Sequence, residues 1–126
     1  MENKKYNNKK IIAVSIIIIF SILMILPFLL VGQIGVDSDW SFHAARVQQI
    51  YLNLKKGEFF TYLATDTFSK VGNANFLFYP NFILYPWAFL KFIFAPVTAY
   101  LIYIWLIFLA TGLIAFFSMI SFTRGK

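Results

Sequence analysis

The sequence predicts an all-α membrane protein, with three transmembrane helices and an amphipathic juxtamembrane helix in the first outward loop. Three observations carry that prediction. Of 126 residues, 60% are hydrophobic and only 13% are charged, whereas a soluble domain is about half apolar and a quarter charged. The apolar residues gather into three long runs, and the charged residues gather between and beside them. Aromatic residues make up 21% of the chain, including 16 Phe and 7 Tyr, which suits helices that face lipid and its interface.

Residues 1–10 form a basic tail holding Lys4, Lys5, Lys9 and Lys10. Cations this close to a membrane helix hold their end in the cytoplasm and meet anionic headgroups. The tail is too short to read as a nucleic-acid-binding arm. Residues 11–31 predict the first span, about 31 Å long as a helix and matched to a hydrocarbon core of about 30 Å. The β-branched run Ile16–Ile19 does not favour a strand here, because in lipid the backbone must bond within its own segment. Pro27 can kink the last turns. The run is too long for a cleaved signal peptide and reads as an uncleaved anchor, inside to outside.

Residues 32–75 form the outward loop and hold four of the five acids, Asp37, Asp39, Glu58 and Asp66. A surface helix is predicted over about 39–56, capped by Ser38 or Asp39 and stopped by Gly57 after Lys55 and Lys56. Trp40, Ala44, Val47, Tyr51 and Leu54 form its apolar stripe, expected to lie along the membrane. Residues 76–95 predict the second span, although Pro80, Pro86 and Lys91 interrupt it. Residues 97–122 predict the third, uncharged and long enough to tilt, with Thr111, Ala115 and Ser118 as a small-residue packing face. Three crossings leave residues 123–126 outside, which sets Arg124 and Lys126 against the charge rule. A re-entrant second segment, or a chain that continues past residue 126, removes that conflict; three spans remain the preferred reading, because the charge rule is set mainly by the first helix.

The candidate chemistry lies on the surface helix. Asp39, His43 and Arg46 at i, i+4 and i+7 share one face and can serve as base, proton partner and phosphate clamp. Asp37 competes for the carboxylate role, and Lys70 is a second cation for substrate. The plainer reading makes Asp39 a helix cap, His43 its partner, Arg46 a lipid contact, and Trp40 and Phe42 interface anchors. The chain has no cysteine and one histidine, so neither thiolate nor histidine-cluster metal sites are expected. No cofactor motif is present.

The stretches Gly35-Val-Asp-Ser-Asp-Trp-Ser-Phe-His-Ala-Ala-Arg46, Leu54-Lys-Lys-Gly-Glu-Phe59 and Gly72-Asn-Ala-Asn-Phe-Leu-Phe-Tyr-Pro80 resemble the start of one bacterial family. These are the polytopic 6-pyruvoyl-tetrahydropterin synthase-related membrane proteins, which in turn resemble GT-C membrane glycosyltransferases. The similarity runs over about residues 10 to 122, with Asp39, His43, Arg46, Gly57, Phe59, Gly72, Phe78, Tyr79 and Pro80 in the family's order. It implies transfer of a sugar from a polyprenyl phosphate in the cell membrane, with Asp39 or Asp37 acting on the acceptor and Arg46 or Lys70 on the lipid phosphate. It implies no pterin chemistry. Family members are several hundred residues long, so the resemblance also implies a truncated chain, inactive alone, that works with the remaining helices of a split or longer protein. The alternative is a small non-enzymatic membrane protein that binds or regulates a larger membrane partner; a transporter subunit is more distant, since no charge lies deep in the first or third run.

Overall fold

The computed structural model describes residues 2–31, 38–65 and 71–124, with side chains over 7–30, 39–65 and 71–123. The helices in chain order are α1 (Glu2–Val31), α2 (Ser38–Lys55), α3 (Asn75–Phe78), α4 (Tyr85–Leu90) and α5 (Pro96–Arg124). The chain divides into two units, one of Met1–Gln33 with Leu101–Lys126 and one of Ile34–Tyr100.

The first unit is a pair of long apolar helices. Ser21 on α1 meets Trp105 on α5, and Ile17 on α1 meets Gly112, so the two helices run antiparallel. Gly112 permits this approach: a Cβ there would lie 2.7 Å from Ile17 Cγ2, and small residues let membrane helices close on one another. Trp105 Nε1 donates to Ser21 Oγ at 3.1 Å, and that hydroxyl donates to the Ile18 carbonyl at 2.8 Å. Ser21 is buried, while Ile11, Phe20 and Leu29 are exposed, as lipid-facing side chains are. The α5 face turned to α1 is therefore Trp105, Phe108 and Gly112. The predicted packing face is different, for Thr111, Ala115 and Ser118 stay exposed. Among the described residues, two helices are long and apolar enough to cross a membrane, over Asn7–Leu30 and Pro96–Thr123.

Where the sequence predicts a further span, at residues 76–95, the chain forms short pieces instead. α3 has 4 residues, a 3-10 turn over Phe82–Leu84 has 3, and α4 has 6. The prolines account for the breaks. Tyr79 is extended at φ −114°, ψ 130°, as the residue before a proline prefers, and Pro86 sits in the first turn of α4, where its missing N–H is harmless.

The second unit is built on α2. Its end matches the predicted stop: Gly57 lies at φ +84°, the Gly57 N–H reaches the Leu54 carbonyl at 3.0 Å and the Glu58 N–H reaches the Asn53 carbonyl at 2.9 Å. That pair of bonds is a Schellman motif. The predicted apolar stripe is not laid bare for the membrane, because the chain's own residues cover it. Val47 is buried, Trp40 packs edge-on against Tyr100 at 6.0 Å, and Tyr51 meets Phe92 at 4.8 Å. The adjoining face carries polar groups into the interior. Gln49 donates to Asn53 Oδ1 at 3.0 Å and Thr65 Oγ1 at 3.2 Å, and Asn53 donates to Thr61 Oγ1 at 3.2 Å. Gln49, Asn53 and Thr61 are all buried, and such groups are retained only when bonded. They hold the loop after α2 against the helix, while a two-bond antiparallel bridge joins Ala64 to Asn73.

Candidate functional site

The helical register of α2 puts Asp39, His43 and Arg46 on one face, as their spacing predicts. Their environments then diverge. Asp39 stands exposed in the first turn of α2, where the positive helix end favours a carboxylate. His43 is also exposed. Its ring lies 5.2 Å from Phe42, and its Nδ1 faces Arg46 Nη1 at 3.5 Å. Arg46 can only donate, so in this contact His43 Nδ1 is the acceptor.

Arg46 is turned inward and only 2% exposed. Its Nη2 donates to the carbonyls of Tyr79 at 3.0 Å and Pro80 at 3.2 Å. The guanidinium lies over Phe42, Phe76 and Tyr79, 5.3–5.5 Å from each ring centre. Burial lowers its pKa below the ordinary arginine value, partly offset by Tyr79. The residue expected to clamp a lipid phosphate is thus engaged with its own backbone, where it fastens α2 to the Tyr79–Pro80 turn. Trp40 and Phe42, read as membrane anchors, are half-buried and pack on Tyr100 and Tyr79.

Asp37 and Lys70 lie outside the described residues. Among the described residues, the exposed part of the predicted site is a carboxylate and an imidazole one turn apart, with Arg46 against the imidazole. That pair can accept a proton and pass it on. Among the described residues, no three His, Cys, Asp or Glu side chains gather to hold a metal ion.

A separate hollow of about 330 Å³ opens in the same unit, lined by Asn53, Lys56, Glu58, Phe60, Tyr62, Leu63 and Thr65. It contains none of the site residues predicted from the sequence. Phe60 and Tyr62 stack at 27° with centres 6.5 Å apart, beside the carboxylate of Glu58 and the ammonium of Lys56. The available signal was the aromatic cluster Phe59-Phe60-Thr61-Tyr62 directly after an acid in an otherwise polar loop.

No family model, curated protein or solved structure matches the chain.

Proposed function

We propose that the chain is the amino-terminal part of a GT-C-like membrane glycosyltransferase that takes its sugar from a polyprenyl phosphate. In this reading Asp39 is the base, or the placing group, for the acceptor hydroxyl. His43 relays the proton, Asp37 is the competing carboxylate, and Lys70 takes over from Arg46 as the cation for the lipid phosphate. The single observation that supports the reading is the exposed Asp39–His43 pair, set one turn apart on a helix that is fastened by the buried bonds of Arg46 and Asn53. A base must be held still to act in a transition state.

The proposal places the amino terminus in the cytoplasm of a cell-membrane protein and residues 32–95 outside, with two crossings. The antiparallel packing of α1 and α5 supports this, because it brings the Thr123 end of α5 to the side of Lys9 and Lys10, the side that basic residues favour.

The test compares Asp39→Asn with Asp39→Ser in membranes that contain the protein together with the rest of its transferase. Asp39 is exposed in the first turn of α2, so both variants should fold and insert normally. Transfer of radiolabelled sugar from polyprenyl phosphate should fall by about 10²–10⁴-fold in each, the usual contribution of a general base. Transfer at the level of the parent overturns the assignment. Arg46 favours a second reading, a small membrane protein that binds or regulates a larger membrane partner, since its charge is committed to structure. On that reading both substitutions are silent.

A further inference from the structure

We infer that residues 76–95 form an interfacial wedge, lying in the outer face of the bilayer leaflet rather than crossing it, with lipid as the occupant of their exposed apolar side. The segment is two-sided. Phe76, Leu84, Trp87 and Ala88 are buried within the second unit. In the same segment Phe78 is 81% exposed, Phe82 74% and Ile93 76%, and Ile83, Phe89 and Phe92 are exposed as well. A patch this apolar marks an interaction surface.

Chain length identifies lipid as what covers it. Ile93 lies three residues before Pro96, where the membrane-length stretch Pro96–Thr123 begins. Three residues reach roughly 10 Å at most, and the headgroup layer on each side of the hydrocarbon is roughly 5–8 Å thick. Ile93 therefore stays near the bilayer, and Phe92 and Phe89 stand one and four residues from it. The segment cannot cross the bilayer as it is folded, because its helical pieces have 4, 3 and 6 residues, and a helical crossing takes about 20.

The cations fit the same position. Lys91 bonds to Gln48 and lies 5.1 Å from the Tyr51 ring, and Lys55 lies 5.2 Å from the same ring. Their aliphatic stems can lie along apolar surface while the ammonium groups meet lipid phosphate. This inference does not depend on the transferase reading, since it concerns depth in lipid and not chemistry.

The chain has no cysteine, so single-cysteine variants carry one dye each. Phe82→Cys, Phe89→Cys and Ile93→Cys, labelled with an environment-sensitive fluorophore, are reconstituted into vesicles of phosphatidylethanolamine with phosphatidylglycerol. Spin-labelled lipids carry the quencher at shallow or deep acyl positions. Thr111→Cys is the deep control and Glu58→Cys the aqueous one. The expected result is strong shallow quenching at all three sites and weak deep quenching. Deepest quenching at Phe89, as at Thr111, means a third crossing and overturns the proposal. Quenching as weak as at Glu58 means that water or protein covers the face, and overturns it equally. All three positions are exposed, so the substitutions leave the buried side intact, and agreement among them separates depth from local misfolding.

Discussion

Arg46 does the work of a fastener. Two carbonyls of the Tyr79–Pro80 turn depend on its Nη2, and three rings close around the guanidinium. Removing it strands the carbonyls and empties the cage. Arg46→Ala should lower the stability of the second unit by about 1.5–3 kcal/mol, the range for charge-assisted bonds. Arg46→Lys should recover only part of this, since an ammonium keeps the charge without the planar fork. Thermal unfolding in detergent, followed by the fluorescence of Trp87 and Trp40, measures both. The shared face of Asp39, His43 and Arg46 was legible in the sequence, because helical spacing is local. The fate of Arg46 was not. Its acceptors lie 33 and 34 residues away, and they are backbone carbonyls that every sequence possesses.

Among the elements, α2 and the segment after it show what local signals decide. Gly57 ends α2 as its position after two lysines predicts, because a left-handed residue at a helix end is chosen by the residue itself. The break-up of residues 76–95 was harder to read. Hydropathy alone scores an apolar wedge and an apolar span alike, and the deciding contacts come from elsewhere: Asn81 Nδ2 donates to the Thr61 carbonyl at 3.1 Å, and the Tyr85 hydroxyl donates to the Phe59 carbonyl at 2.6 Å. The two left-handed glycines allow a graded test. Gly57→Ala should cost about 1 kcal/mol, since φ is unfavourable but no atom lies within 4 Å of the new Cβ. Gly72→Ala should cost more. Its φ is +80°, and a Cβ would sit 3.0 Å from the Ala64 carbonyl oxygen, which is itself bonded to Asn73. Denaturation midpoints of the two variants should fall in that order, with faster amide exchange at Ala64 and Asn73 in the second alone.

For the molecule as a whole, the contact between Gly112 and Ile17 sets how closely the two membrane-length helices approach. Gly112→Leu should push them apart and lower the thermal midpoint in detergent, and Ile17→Ala should restore much of the loss by making room. Because contacting residues couple, the double variant should be more stable than the sum of the two single changes. Two further single-cysteine variants read the topology. Asn8→Cys and Thr123→Cys should react with a membrane-impermeant maleimide from the same side of the bilayer, while Glu58→Cys reacts from the other. Labelling of Asn8→Cys and Thr123→Cys from opposite sides would refute the two-crossing arrangement. Both long helices were legible in their hydropathy, but the face on which they meet was not, since one tryptophan and one glycine define it better than a stripe of small residues does.

The bond from Trp105 to Ser21 also bears on how the chain enters the membrane. Ser21 precedes Trp105 by 84 residues, which at about 5–20 residues per second is roughly 4–17 s of synthesis. During that interval α1 must stand without α5. It can do so because its hydroxyl already donates to the Ile18 carbonyl in the same helix, and a lone pair remains to receive the indole when α5 arrives. Ser21 is thus polar enough to choose a partner and self-sufficient enough to wait for one. Ser21→Ala should insert just as well, yet assemble with less certainty about which face of α5 it meets.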